Sequence, residues 1–148
     1  MLPCFVMIDL ETTGGNATQD RITEIAAVRV ENGVETARWS TLVNPGVSIP
    51  SFIQSLTGIT DAMVEDAPSF AKVAPQLLAL LDGAVFVFEE VEEVVALHEH
   101  VAELGVGDAG LHADEFHQLA GVVVLDGHRQ FAPLQNLAHL SGLERPED

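Results

Sequence analysis

Basic residues are scarce in this sequence. Lysine and arginine together number 6 against 23 aspartates and glutamates, giving a formal charge of −17, and Lys72 is the only lysine. Such a balance argues against a protein that grips nucleic acid over a broad basic face, since that contact needs cations to neutralise phosphates. It leaves room for an enzyme that reaches phosphates through bound divalent cations. A solvated, acidic surface is the simpler reading of the same charge. Cysteine is nearly absent. Cys4 stands alone, so no disulfide can form within the chain, and a reducing compartment fits. Long apolar runs are missing as well. Residues 1–8 are apolar, but they lack a basic flank and Asp9 interrupts them. The stretch is too short and wrongly flanked for a membrane span or a signal peptide. A cytoplasmic protein with no membrane partner is expected.

What is present points to one domain over residues 1–148. Apolar residues make up 47% of the 148 and mean hydropathy is +0.25. A chain of this size can bury roughly two-thirds of its unfolded surface. Residues 5–10 read as a buried strand, and residues 11–16 as a turn cluster. A second strand over 21–31 and a third over 35–44 flank Asn32-Gly33, a strong hairpin signal. Pro45-Gly46 and Pro50 mark the exit from the sheet. A short helix over 51–56 is expected with Ser51 as its cap, then a helical turn at Thr60-Asp61. Residues 69–81 carry apolar residues at helical spacing, with Pro75 expected to kink that helix or displace its start. Residues 84–88 read as a buried parallel strand and 89–104 as a helix stopped by Gly105. Beyond it, helices over 113–120 and 133–140 and an apolar β-branched run over 122–125 are expected. The element order is that of an α/β domain with a mixed sheet.

Asp9 and Glu11 close the first strand. Their i, i+2 spacing puts both side chains on one face. Two carboxylates aimed together from a strand end provide hard oxygen ligands for Mg²⁺ or Mn²⁺, with room for water and a phosphate oxygen. The alternative is a solvated strand end carrying two unrelated acids.

The surroundings are more specific. Ile8-Asp9-Leu10-Glu11-Thr12-Thr13-Gly14, followed by Asp20-Arg21-Ile22-Thr23-Glu24-Ile25-Ala26-Ala27-Val28, closely resembles the first motif of the DnaQ-like DEDD superfamily of 3′–5′ exonucleases, which includes proofreading subunits of replicative polymerases. Leu42-Val43-Asn44-Pro45-Gly46, Ile49-Pro50 and Leu56-Thr57-Gly58-Ile59-Thr60-Asp61 resemble its connecting region. The resemblance is clear over residues 4–87 and diverges over 88–148. It implies a ribonuclease-H-like mixed β-sheet flanked by helices, two divalent cations (Mg²⁺ or Mn²⁺), and a single-stranded nucleic-acid 3′ end as substrate. It implies Asp9 and Glu11 as metal-binding acids, Thr12 and Thr13 beside the terminal nucleotide, and Thr57, Gly58 and Ile59 against its base or sugar.

Two departures stand out. After the strand over 84–88 the family shows a His-Asn pair and then the third acid, an Asp. Here the chain reads Glu89-Glu90-Val91-Glu92-Glu93-Val94. Counting back from Leu104-Gly105 puts Glu93 at the position of that Asp, and counting forward from the strand puts Val94 there. Glu93 is the candidate third catalytic acid, against a reading in which these glutamates form a solvated first helical turn favoured by the helix dipole. The family's last helix carries a His as general base and, five residues on, the fourth acid. Residues 134–143 resemble the helix before it, and no His and Asp stand at that spacing. His98, His100, His112, His117, His128 and His139 read as surface or half-buried histidines. The fold expected is therefore C-terminally truncated, which should uncover apolar sheet surface and favour a polymerase or other protein partner, or a homodimer.

Three functions follow. One is a metal-dependent 3′–5′ exonuclease domain of polymerase III epsilon type, its activity impaired. Another is a catalytically inactive exonuclease fold serving as an interaction or regulatory module. A third, a different two-metal phosphohydrolase on a related fold, conflicts with the specific first motif.

Overall fold

The computed structural model describes residues 4–104 and 122–124. Among them a five-stranded mixed sheet runs in the order β3-β2-β1-β4-β5. Its strands are β1 (Phe5–Thr12), β2 (Ile22–Glu31), β3 (Val34–Leu42), β4 (Val85–Phe88) and β5 (Val122–Val124). The helices are α1 (Ser51–Thr57), α2 (Asp61–Val64), α3 (Phe70–Leu81) and α4 (Val91–Glu103). β1, β2 and β3 form an antiparallel meander, while β4 joins β1 and β5 joins β4 in parallel. The antiparallel second strand and the parallel fourth are as the sequence suggests. The helices and strands expected elsewhere beyond Leu104 lie outside the described residues, as does Gly105.

Alternation builds the sheet. Val6, Ile8 and Leu10 of β1 are buried, and Met7 and Asp9 between them are exposed. The buried set packs with Ile25 and Ala27 of β2 and with Phe86 and Phe88 of β4. α3 covers them with Phe70, Val73, Ala74, Leu77, Leu78 and Leu81, and α4 adds Val94, Leu97 and Val101. A second small core joins Ile49, Ile53, Ile59 and Val64. The β2–β3 turn has positive φ at both Asn32 (51°) and Gly33 (78°), as a two-residue hairpin turn of the favoured twist requires.

Local expectations shift at three points. α1 begins at Ser51 with Pro50 before it, so Ser51 is inside the helix and makes no cap bond. Thr60 caps instead at α2, where its hydroxyl accepts from the Met63 amide at 3.3 Å. α3 runs continuously through Pro75. The carbonyl deprived of its partner belongs to Ala71, and both Ala71 and Pro75 are exposed, so water can serve it. α4 starts at Val91 because Glu90 is extended, with φ −131° and ψ 148°.

Candidate active site

β1 carries its acids past the point where β4 supports it. Parallel pairing ends at Met7 with Val87. Beyond it the N-terminus of α4 takes the place of the neighbouring strand. Glu93, in the first turn of α4, accepts a hydrogen bond from the Leu10 amide through Oε1 at 3.3 Å. Val94, the other position allowed by counting, is buried in the core. A cleft of about 680 Å³ opens at this junction, lined by Asp9, Glu11 and Glu93 and bordered by Glu89, Glu90 and Glu92.

The acids perturb one another. Burial pushes Glu93 up to about 7; the Leu10 amide opposes this by favouring the anion, Asp9 adds to the rise through a hydrogen bond and its charge, and the Glu90 amide opposes it weakly. Glu11 is raised first by burial, then by the charges of Asp9 and Glu24. Glu24 sits directly opposite Glu11 in the β1–β2 register. Glu93 Oε2 is buried and has no hydrogen-bond partner. A carboxylate oxygen left that way costs free energy unless something positive reaches it. Among the described residues, no three His, Cys, Asp or Glu side chains close as a metal-binding group. The donors are nonetheless all hard oxygens beside open space, with one of them unsatisfied, and that set suits a divalent cation such as Mg²⁺ or Mn²⁺.

The remaining expected contacts separate. Thr12 and Thr57 line the cleft. Thr13 does not: it is 3% exposed, and its hydroxyl donates to Asp20 Oδ1 at 3.0 Å and accepts from the Arg21 amide at 3.0 Å. Its place is inside the loop rather than beside a ligand. Ile59 is 4% exposed and belongs to the second core. Gly58, with φ 76°, is the left-handed stop of α1. Sequence reasoning missed Phe52 and Leu56. They are 70% and 71% exposed and form an apolar wall of the cleft. Their i, i+4 spacing, which puts two large apolar residues on one face of a short helix, was a signal.

No histidine among the described residues lines the cleft. His100, expected at or near the surface, is buried: Nε2 accepts from the Ile22 amide at 3.0 Å and Nδ1 faces the Ala96 carbonyl at 2.7 Å. Burial lowers its pKa and keeps it neutral. It holds α4 against β2.

The chain matches the RNase T exonuclease family over residues 6–139, and it belongs to that family. The match takes in most of the segment, 88–148, in which the resemblance clear over residues 4–87 diverges. The chain is 50% identical over 123 residues to the 3′–5′ exonuclease DinG of Bacillus subtilis (strain 168), covering 82% of this chain and 12% of that protein. It is 44% identical over 89 residues to the DNA polymerase III subunit epsilon of Aquifex aeolicus (strain VF5), covering 60% and 44%. The chain thus spans less than half the length of these relatives. Among solved structures, exonuclease X in complex with 5′ overhanging duplex DNA matches with a TM-score of 0.53 and 28% identity, over 64% of this chain and 52% of that one. E. coli exonuclease I in complex with a dA16 oligonucleotide shares the fold, with a TM-score of 0.63 at 17% identity, over 70% and 24%. Exonucleases of this family use divalent metal ions. No helix among the described residues is long and apolar enough to cross a membrane.

Proposed function

We propose that this chain is a 3′–5′ exonuclease domain that acts on DNA 3′ ends with two divalent cations, Mg²⁺ or Mn²⁺, held by Asp9, Glu11 and Glu93. The observation that carries the proposal is that these three acids line one cleft, with Asp9 near enough to raise both Glu11 and Glu93. When bound, such cations activate a water and stabilise the oxygen that leaves the phosphodiester. The chain's own residues do the rest. Phe52 and Leu56 offer an apolar face to the terminal base, an unpaired ring being the flat partner such a face accepts. Gly14 and Gly15 line the same cleft as a wall of bare backbone, which lets a sugar-phosphate approach closely. The Thr12 hydroxyl is tied to the Gly14 carbonyl at 2.7 Å and fixes the start of that wall. The domain works in replication or repair, in the cytoplasm, beside a polymerase or another protein.

Turnover by this chain alone is slow in this reading, because its sequence carries no His with an Asp five residues on, and general-base catalysis contributes about 10²–10⁴-fold. That same observation favours the second reading, an inactive exonuclease fold kept for interaction. A 3′-labelled single strand separates the two. Nucleotide release with Mn²⁺ that EDTA stops and Asp9→Ala abolishes supports the exonuclease. Retained Mn²⁺ binding without release supports the interaction module.

A further inference from the structure

We infer that Asp20 is a positioning residue for the bound 3′ end, acting through the loop between β1 and β2; the inference rests on the exonuclease reading. The loop follows Thr12, the last residue of β1, and Thr12 with the loop's Gly14 and Gly15 lines the cleft. Asp20 does not line it. Instead its carboxylate is the point to which the loop is referenced. Oδ1 accepts from the Thr13 hydroxyl at 3.0 Å, and Oδ2 accepts from the Asn16 amide at 2.7 Å. The Thr13 amide in turn donates to the Arg21 carbonyl at 2.9 Å, which fastens the loop to the start of β2.

Gly14 completes the arrangement. Its φ is not in the left-handed region, so backbone conformation does not demand glycine there. Space does: a Cβ on Gly14 would lie 2.7 Å from Asp20 Oδ2 and 2.9 Å from Oδ1. The missing side chain and the carboxylate are matched in size. One group therefore sets both where the glycine wall stands and how near it comes to the acids of β1. Substrate-positioning groups tolerate little displacement, so a loosened wall should weaken capture of the nucleotide without touching the metal ligands.

The test compares wild type, Asp20→Ala, Asp20→Asn, Gly14→Ala and the double variant Gly14→Ala/Asp20→Ala, all well below their melting temperatures. Thymidine monophosphate binding is titrated with Mn²⁺ present, Mn²⁺ binding is titrated alone, and KM and kcat are read on a 3′-labelled single strand. Asp20→Ala and Gly14→Ala should each weaken nucleotide binding by ~10-fold and raise KM in step, with Mn²⁺ affinity unchanged. Asn should recover part of the loss, because it keeps one acceptor. The double variant should be no worse than Asp20→Ala, since the clash has gone. Wild-type nucleotide affinity and KM in a folded Asp20→Ala protein would overturn the inference and leave Asp20 a fold-stabilising residue. A parallel fall in Mn²⁺ affinity would overturn it too. Failure of the wild type itself to bind nucleotide or release it would instead remove the exonuclease reading, and this inference with it.

Discussion

Replacing Glu93 by glutamine should make the metal-free protein more stable above neutral pH. Glu93 titrates near 7 in the fold, against 4.5 for an unperturbed glutamate, because it is desolvated beside Asp9. The native state therefore holds a proton that the unfolded chain has lost. Stability falls as pH rises through the window between those two values, and above it the loss is complete. At 1.36 kcal/mol per unit the full difference is about 3 kcal/mol. The carboxylate is only half-buried, so solvent screening reduces this to ~1–2 kcal/mol. Glutamine keeps an oxygen for the Leu10 amide and removes the charge. Thermal unfolding followed by circular dichroism in EDTA measures the effect. At pH 8 the variant should melt roughly 3–8 °C above wild type, and at pH 5, where Glu93 is largely protonated, the gap should shrink towards zero. Excess Mn²⁺ should reverse the order, because the ion stabilises whichever protein binds it. An equal or lower melting temperature for the variant at pH 8, or a gap indifferent to pH, would refute the electrostatic reasoning.

Asp9→Ala should cut nucleotide release by more than ~100-fold, beyond the usual cost of losing an outer-shell partner of a metal, while its melting temperature in EDTA holds or rises because an exposed charge beside Glu93 is gone. Phe52→Ala should leave stability within ~0.5 kcal/mol, as the ring is mostly in solvent, yet raise KM on single strands by about 5-fold or more if a base stacks there. Leu77→Ala should cost ~3–4 kcal/mol in chemical denaturation, since Leu77 is 0% exposed at the centre of the core. Gly33→Ala should cost ~1 kcal/mol, because φ of 78° there is unfavourable for any residue with a Cβ.

Much of the fold was legible because its signals are local. The β1 alternation, the Asn32-Gly33 turn and the apolar face of α3 each arise from neighbours in sequence, and each survives assembly. Asp9 and Glu11 were legible for the same reason: a strand's two-residue period fixes their common face before any tertiary contact forms. The cleft's other walls were not. Phe52 and Leu56 are exposed apolar residues on a seven-residue helix, and only the tertiary placement of that helix, anchored by Ile53 in the second core, brings them to the cleft. Thr13 looked like Thr12 in the motif, but adjacent residues at the end of a strand point opposite ways. One faces the cleft and the other enters the loop's hydrogen-bond network.

Glu93 shows where counting fails and physics decides. Its register depends on where α4 begins, and that is set by the extended backbone at Glu90 rather than by distance from β4. Once the helix starts at Val91, the third residue of its first turn faces the unsupported end of β1, and the fourth, Val94, enters the core. A glutamate there has a structural reason to exist: it sits at the positive end of a helix and serves the Leu10 amide that β4 no longer can. That reason accounts for Oε1 alone. The second oxygen, buried beside Asp9 without a hydrogen bond of good geometry, is served either by a proton shared with Asp9 or by a cation. The choice between a retained scaffold and a working site therefore turns on which of the two occupies that place, and on whether divalent ions stabilise the wild type more than the glutamine variant.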